Sequence, residues 1–312
     1  MQRLGLCCLF VEAPIRFRTT TARYVSTLHA KGKDPLEHLS LIIQSNLENL
    51  LLALDYCASH RIGAFRINSG LLPIYTHPDW GYELDTLPNA KAIFENFEAV
   101  KDKAQHHHIR LTFHPDQYVV LSSPSEEVVE KSLRDLEYHG LIATLVGADV
   151  INIHGGGGYG DKPSAIKRFE ANFVRLSETV QNLLTVENDD RVYTLMDLLP
   201  LCHELNIPLV YDVHHHRCLP DDLSVDQATA KALKTWDKEP LFHISSPKEG
   251  WDGRNPRLHH DFINLQDVPK EWKEIDPLTI DIEAKAKEVS VLKIQKELIT
   301  SGWNLPKDPS IS

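Results

Sequence analysis

The sequence predicts one α/β domain with the (β/α)8 fold of a TIM barrel. Three observations predict this fold: strand-like runs alternate with helical stretches, eight such pairs fit within 312 residues, and no change in composition marks a domain boundary. Regular alternation of this kind is typical of parallel strands joined by right-handed crossovers. We therefore assign residues 1–303 to a single barrel domain and expect the polar segment 304–312 to be a frayed tail.

Each predicted strand is a short run dominated by apolar residues. The run IPLV at 207–210, for example, reads as a short buried strand that leads into the polar segment YDVHHH. The eight predicted strands are 3–8, 64–68, 109–114, 149–154, 183–187, 207–210, 240–244 and 278–283.

The stretches between these strands read as helices. The clearest helical pattern is in residues 36–59, where apolar residues recur at three- and four-residue steps. A helix over 124–146 is further indicated by a capping box, in which Ser123 precedes Glu126 by three positions and Pro124 takes the first helical position. The other predicted helices are 89–107, 164–182, 193–205 and 225–236, followed by a Lys/Glu-rich helix after the last strand.

Composition narrows the class of protein. Apolar residues make up 42% of the chain and charged residues 25%, as in ordinary globular enzymes, and no apolar run approaches the roughly 18 to 20 residues that span a bilayer. Five cysteines without a CxxC pair favour reduced thiols in a cytoplasmic protein. A net charge of −11 argues against a uniformly polyanion-binding surface but is compatible with one basic face or a metal-filled cleft. Nothing indicates a membrane or an obligate protein partner.

Polar residues follow the predicted strands at their carboxyl ends. Asp212 and His215, separated by two residues, can bind one divalent cation, although this segment alone would favour a polar loop. The pattern recurs, because five other strand-like runs also end in His or Glu. These residues are His114, His154, Glu187, His243 and Glu283.

In a barrel, the carboxyl ends of the strands meet at one mouth, so these side chains should converge. His77 and His259 in neighbouring loops extend the set to nine candidate ligands, enough for about two or three ions. Clustered carboxylates would repel one another without cations, and mixed imidazole and carboxylate ligands suit Mn²⁺, Zn²⁺ or Fe²⁺. Such centres serve phosphodiester cleavage, and they also serve sugar isomerisation.

Seven segments carry a resemblance that covers most of the chain. They are FRINSGLLP at 65–73, HPDQY at 114–118, NIHGGGGYGDK at 152–162, ENDD at 187–190, DVHHH at 212–216, HISSPK at 243–248 and IEAKAKE at 282–288. With them the chain resembles the UV damage endonucleases, a DNA repair family whose barrel is similar to that of AP endonucleases of the endonuclease IV type.

The resemblance implies incision of double-stranded DNA on the 5′ side of UV photoproducts, both pyrimidine dimers and 6-4 photoproducts, with some activity at abasic sites. It implies two or three ions of Mn²⁺, with Zn²⁺, Mg²⁺ or Co²⁺ as alternatives, and a cytoplasmic protein associated with the nucleoid if the host is a prokaryote. By motif, the family's metal ligands fall on His77, His114, His154, Glu187, Asp212, His215, His243, His259 and Glu283.

Within this set, the resemblance makes Glu187, Asp212 and Glu283 the catalytic carboxylates, with Glu187 as the candidate to bridge two ions. The assignment at His259 has an alternative, because His260 adjoins it.

The resemblance also implies DNA-contacting residues. Gln117 and Tyr118 match the pair that the family inserts into the duplex opposite the lesion, and an aromatic ring with an amide suits that role. We also predict DNA contacts for the turn after His154 and for one residue of the second strand. These residues are Gly155, Gly156, Tyr159 and Lys162 in the turn, and Arg66 on the strand. The glycines would let phosphates approach the backbone closely, and Lys162 would supply their counter-charge. For Arg66, an inward-facing arginine paired to a carboxylate is an equal alternative.

Two departures from the family pattern stand out. Leu241 occupies the position where the family commonly has a lysine that can be carboxylated. The first loop, LCCLFVEAPIRF, lacks the polar residues that some members place there for lesion contact, which leaves the damage preference open.

Two other functions stay open. A metal-dependent sugar isomerase or epimerase would use the same barrel and ions but has no need of a DNA wedge. A damage-binding protein without turnover would keep the wedge and lose catalysis along with the lysine.

Overall fold

Eight parallel strands pair in sequence order and close into a barrel, as predicted, in a computed structural model that describes residues 2–306. The barrel closes where β8 pairs with β1, with Gln2 opposite Leu278 and Gly5 opposite Asp281. The strands are β1 Gln2–Cys7, β2 Ala64–Ile67, β3 Arg110–Phe113, β4 Val150–His154, β5 Leu184–Glu187, β6 Leu209–Asp212, β7 Leu241–Ile244 and β8 Leu278–Ile282.

Within residues 2–306, nine helices lie between the strands and a tenth follows β8. They are α1 Ala22–Ala30, α2 Pro35–Ser59, α3 Ala90–His106, α4 Glu126–Val146, α5 Lys162–Phe173, α6 Glu178–Leu183, α7 Leu195–Leu205, α8 Val213–Cys218, α9 Val225–Leu233 and α10 Lys287–Thr300. Short 3-10 turns occur at Leu84–Thr86, Leu265–Asp267 and Lys270–Glu274. Two helices, α1 and α8, were not predicted from the sequence.

Two helical predictions were wrong in detail. The predicted helix 164–182 is two helices, because Ser177 caps α6 by accepting a hydrogen bond from the N–H of Val180. The predicted capping box at Ser123 is absent, since α4 begins at Glu126 with Ser125 as its N-cap. Ser123 instead accepts a hydrogen bond from the N–H of Ser125 at 3.1 Å, which fixes the turn before the helix.

The barrel interior changes in character from one end to the other. Near the amino ends of the strands, Val150, Val210 and Leu241 form a small buried apolar cluster. At the carboxyl ends the buried residues are polar, and they include Asn152, Glu187, Asp212, His243 and Asp281. The polar end is where parallel barrels bind their ligands.

The first loop, between β1 and α1, is held by a buried carboxylate. Glu288, in the first turn of α10, accepts hydrogen bonds from the backbone N–H groups of Val11, Glu12 and Ala13 at 2.7 to 3.0 Å. The guanidinium of Arg16 donates to carbonyl groups of the same loop, including that of Ala13 at 2.6 Å. Several backbone donors and acceptors of this loop therefore have partners within the protein.

Three other expectations concern the chain as a whole. All five cysteines are free thiols. Across residues 2–306, every helix is too short or too polar to span a lipid bilayer. The predicted frayed tail lies outside the described residues from 307 onward, and Leu305 within it is buried.

Candidate metal centre

Glu187, the last residue of β5, lies at the centre of the polar end of the barrel and is fully buried. Its Oε2 atom lies 3.0 Å from Nε2 of His114 and 3.1 Å from Nδ1 of His243. Its Oε1 atom lies 3.2 Å from Nδ1 of His215. One carboxylate thus connects histidines from three different strand ends.

Two groups of ligand atoms share this carboxylate. His114, Glu187 and His243 form one group, and His154, Glu187 and His215 form the other, with the atoms of each group within 4.8 Å of one another. The structure therefore brings five of the nine predicted ligands into two adjoining sites around a bridging position.

Three further predicted ligands lie beside these groups. Asp212 Oδ2 is 3.6 Å from Nδ1 of His215, and Glu283 Oε1 is 3.4 Å from Nδ1 of His243. His259 Nδ1 is 3.9 Å from Oε2 of Glu283. The neighbouring His260 instead accepts a hydrogen bond from the N–H of Phe262, so His259 is the histidine of this pair that faces the cluster.

His77 stands apart from the other eight predicted ligands. Its Nδ1 atom accepts hydrogen bonds from the N–H groups of Asp79 and Trp80, at 3.1 and 3.3 Å. Among residues 2–306, no hydrogen bond, ion pair or ring contact joins His77 to the cluster. The local turn after His77 holds its imidazole within the loop that follows β2.

The charges of the cluster favour cation binding. Burial alone would raise the pKa of Glu187, but His243 and His154 hold this pKa well below its usual range. Burial would lower the pKa of His215, yet Asp212 and Glu187 raise it well above the ordinary value. These two shifts favour the negative charge of Glu187 and a proton on His215, and a divalent cation would take the place of that proton.

Several candidate ligand atoms are buried without a well-aligned hydrogen bond to another described residue. They are Oε1 of Glu187, Oδ2 of Asp212, Nδ1 of His154 and Nδ1 of His243. Buried polar atoms in folded proteins are nearly always satisfied, and divalent ions bind nitrogen and oxygen atoms of this kind. The residues therefore fit divalent metal ions.

Two asparagines orient the cluster from behind the ligands, and the sequence analysis missed both. The side chain of Asn152 donates a hydrogen bond to Oε2 of Glu187 at 2.5 Å. Asn188 pairs with the backbone of Asp212 in both directions, at 2.9 and 3.0 Å. Strand alternation was an available signal for Asn152, because residues two apart on a strand face the same side and His154 follows it by two.

Arg66 lies inside the barrel below the cluster and not at its surface. Its side chain is 8% exposed and forms ion pairs with Asp281 at 2.9 Å and Glu283 at 2.7 Å. Burial would raise the pKa of Glu283, but Arg66 and His243 hold it well below its usual range. This geometry corresponds to the inward-facing alternative for Arg66 and does not place it for a phosphate contact.

The exposed pair Gln117 and Tyr118 lies on the loop after β3, three and four residues beyond the predicted ligand His114. Tyr118 is 67% exposed, and its hydroxyl donates a hydrogen bond to the carboxylate of Asp116. Because Val119 is buried behind it, this loop presents an aromatic ring and an amide to solvent at the mouth of the barrel.

The glycine run after β4 packs tightly against its neighbours. Gly155 is buried, and a Cβ added there would meet the ring of Tyr193 at 2.8 Å. Gly156 has φ of +83°, and an added Cβ would lie 2.4 Å from Oγ of Ser122. Both positions require glycine, which keeps the backbone of this turn free of side chains next to His154.

The two other predicted contact residues of this turn are at the surface. Tyr159 is 50% exposed, and the guanidinium of Arg168 lies over its ring at 5.5 Å. Nζ of Lys162 lies 2.7 Å from a carboxylate oxygen of Asp197. Lys162 therefore already has a carboxylate partner on α7, which the sequence did not indicate.

Leu241 points into the barrel two residues before His243 on β7 and is 1% exposed. It belongs to the apolar cluster with Val150 and Val210. Because residues two apart on a strand share a side, a longer side chain at 241 would extend from this apolar cluster toward the candidate metal centre.

A Leu241→Lys variant should be less stable than the wild type by roughly 3 kcal/mol at neutral pH, because an ammonium group would be desolvated among apolar side chains. The loss should shrink as pH rises and the lysine becomes neutral. Urea unfolding at several pH values measures it, with Leu241→Met as the volume-conserving control. Equal stability of the two variants would contradict this expectation, and intact mass would then show whether the lysine had been carboxylated.

Comparison with known proteins adds to this geometry. The family model described as UV-endonuclease UvdE matches residues 2–304. The chain is 32% identical over 302 residues to a UV DNA damage endonuclease of Bacillus velezensis, covering 93% of this chain and 91% of that protein. It is 34% identical over 277 residues to one from Halalkalibacterium halodurans, covering 84% and 83%.

Solved structures show the same relationship. The crystal structure of SacUVDE is similar with a TM-score of 0.86 and 28% identity, covering 97% of this chain and all of that one. Endonuclease IV from Thermus thermophilus, at 15% identity, and D-psicose 3-epimerase from Clostridium cellulolyticum, at 12%, have TM-scores of 0.57 and 0.54. These two likenesses are to the barrel fold alone.

Proposed function

The chain belongs to the UV-endonuclease UvdE family, and on that basis we propose that it is a metal-dependent DNA repair endonuclease that incises the backbone immediately 5′ to UV photoproducts. The proposed substrate is double-stranded DNA with a pyrimidine dimer or a 6-4 photoproduct, and abasic sites are a further substrate. The observation that carries the proposal is the pair of ligand groups sharing Glu187, open to a mouth that presents Gln117 and Tyr118.

We assign the ions to the residues around Glu187, with Mn²⁺ as the proposed metal and two or three ions per chain. The two ligand groups and the adjoining Asp212, Glu283 and His259 would hold them. When bound, such ions polarise the phosphodiester, activate water and stabilise the departing oxygen. Zn²⁺, Mg²⁺ and Co²⁺ bind the same kinds of atoms and are the alternatives to test.

The chain's own residues supply position and charge in this proposal. Asn152 and Asn188 hold Glu187 and Asp212 in place, so these carboxylates need not reorganise when a phosphate arrives. Tyr118 and Gln117 fill the duplex where the damaged bases have left the stack. The glycine turn after His154 lets a phosphate approach the backbone closely.

The surface charge restricts where DNA can lie. A net charge of −11 disfavours binding of a polyanion over the whole surface, so we propose that binding is confined to the mouth and depends on the cations held there. Action on chromosomal DNA places the proposed activity in the cytoplasm, at the nucleoid if the host is a prokaryote.

The sugar isomerase or epimerase alternative has no specific observation in its favour. The likeness to an epimerase is at 12% identity and reflects the shared barrel. A damage-binding protein without turnover would have lost catalysis along with the lysine at position 241, but eight predicted ligands still lie together in one cluster.

The proposal is tested with purified protein and a duplex that contains one pyrimidine dimer. We expect a single nick on the 5′ side of the dimer in the presence of Mn²⁺, no nick after chelation, and little cleavage of the undamaged duplex. Lesion-specific binding without Mn²⁺-stimulated nicking would favour the damage-binding alternative. Equal cleavage of damaged and undamaged duplexes would refute the proposed specificity.

A further inference from the structure

A buried ion pair between Arg66 and Asp281 lies directly below two of the clustered ligands. We infer that Asp281 and Arg66 are positioning residues for His243 and Glu283. When His243 binds an ion, its imidazole N–H would donate a hydrogen bond to the carboxylate of Asp281. This inference rests on the proposed metal-dependent function.

One guanidinium connects all three partners. Arg66 donates through Nε to Oδ2 of Asp281 at 3.0 Å, through Nη1 to Oε1 of Glu283 at 2.7 Å, and through Nη2 to Nε2 of His243 at 2.9 Å. Because the donors of a guanidinium are fixed in one plane, these three contacts set the relative positions of a carboxylate and an imidazole that both face the metal centre.

Asp281 has the right location to orient His243. The two residues are directly paired between β7 and β8, and both are fully buried. Nδ1 of His243 faces Glu187 at 3.1 Å, while Nε2 faces Oδ2 of Asp281 at 3.7 Å. The imidazole therefore lies between the shared carboxylate of the metal centre and Asp281.

The chemistry of a ligating histidine identifies the acceptor. A neutral imidazole that binds an ion through one nitrogen carries its proton on the other, and that N–H requires an acceptor. Arg66 has only donors, so it cannot fill this role. Asp281 is the carboxylate next to Nε2. Once that nitrogen carries the proton it no longer accepts from Arg66, whose Nε and Nη1 groups still hold Asp281 and Glu283 in place.

The position of Asp281 restricts its neighbour on β1 and leaves one of its own oxygens unsatisfied. A Cβ added to Gly5 on β1 would lie 1.9 Å from Oδ1 of Asp281, so the carboxylate occupies the space that a side chain at position 5 would need. Oδ1 of Asp281 is also buried without a hydrogen-bond partner among the described residues. An unsatisfied buried carboxylate oxygen is unfavourable for stability alone, which points to a role in the site.

A second arginine and aspartate pair at the opposite end of the barrel provides a matched control. Nε of Arg110 lies 3.0 Å from a carboxylate oxygen of Asp149, and the side chain of Arg110 is 6% exposed. Arg110 also donates to Thr279 at 3.1 Å, near the amino ends of the strands. This pair resembles that of Arg66 in chemistry and burial of the arginine but has no contact with a predicted ligand.

The experiment compares Asp281→Asn, Arg66→Lys and the control Asp149→Asn with the wild type. Mn²⁺ affinity and stoichiometry are measured by calorimetric titration, and Tm is measured with and without Mn²⁺. We expect Asp281→Asn to weaken Mn²⁺ binding by about 10 to 100-fold. Arg66→Lys should weaken it by a smaller factor, because lysine keeps the charge but cannot contact three partners. Asp149→Asn should lower Tm and leave Mn²⁺ affinity unchanged.

Wild-type Mn²⁺ affinity in Asp281→Asn would overturn the inference, as would an equal loss of affinity in the Asp149→Asn control. If Asp281→Asn does not fold, Arg66→Lys decides the question by the same measurement, and unchanged affinity there is the contrary result. Failure of the proposed function is distinguishable, because the wild type itself would then bind no Mn²⁺ and would not nick a dimer-containing duplex.

Discussion

Replacing Glu187 with glutamine should reduce Mn²⁺-dependent nicking of a dimer-containing duplex by about 10³-fold or more while leaving the barrel folded. Glutamine preserves the shape of the side chain and removes the negative charge shared by the two ligand groups. A loss of roughly 4 kcal/mol in charge stabilisation corresponds to this factor. Single-turnover nicking rates at saturating Mn²⁺ measure the effect, and an alanine variant should behave in the same way.

The folded state of the Glu187 variants is checked separately, by near-UV circular dichroism and by Tm without added metal. Metal titration of the same samples should show fewer bound ions per chain than in the wild type. Asp149→Asn serves as the control, because Asp149 lies at the other end of the barrel, paired with Arg110. Full nicking activity in Glu187→Gln would remove the bridging role from this residue.

The double variant Gln117→Ala/Tyr118→Ala should lose most of its preference for damaged over undamaged DNA. Loss of one ring that stacks in the duplex is expected to weaken lesion binding by about 10 to 100-fold. Both residues are exposed, so the substitutions should not affect folding or the Mn²⁺ stoichiometry. The measurement is the ratio of nicking rates on dimer-containing and undamaged duplexes of the same sequence.

Phe94→Ala is the matched control for the double variant, because Phe94 is 39% exposed on α3 and lies on none of the loops at the carboxyl ends of the strands. The rate ratio of this control should equal that of the wild type. An unchanged ratio in the double variant would contradict the wedge role. It would also reopen the isomerase or epimerase alternative, since such an enzyme would not depend on these residues.

The sequence predicted the fold and the cluster well because both depend on regular features. A strand that ends in His or Glu places that residue at the mouth of a parallel barrel, and this rule located His114, His154, Glu187 and His243. The rule does not apply to His77, which lies in the loop after β2 and whose Nδ1 accepts hydrogen bonds from its own turn. Loop conformation depends on local hydrogen bonds that strand periodicity does not encode.

The orientation of Arg66 and the helix α8 could not be predicted from the sequence for other reasons. The direction of Arg66 was undecided, because its partners Asp281 and Glu283 lie more than 200 residues away in sequence and meet it only when β8 closes on β1. The helix α8 was missed because its run of histidines has no strong helical propensity. In the structure Asp212 starts this helix by accepting a hydrogen bond from the N–H of His215 at 2.7 Å.

The anchoring of the first loop by Glu288 has a consequence for how a ligand can be accommodated. Because Val11, Glu12 and Ala13 are already bonded to one buried carboxylate, this side of the entrance is rigid before anything binds. Little conformational entropy remains to be lost there when a ligand binds. Displacing the loop to admit a bulkier ligand would leave the buried carboxylate of Glu288 without its hydrogen-bond donors. Under the proposed function, we therefore expect adaptation to different lesions to involve other loops of the mouth than this one.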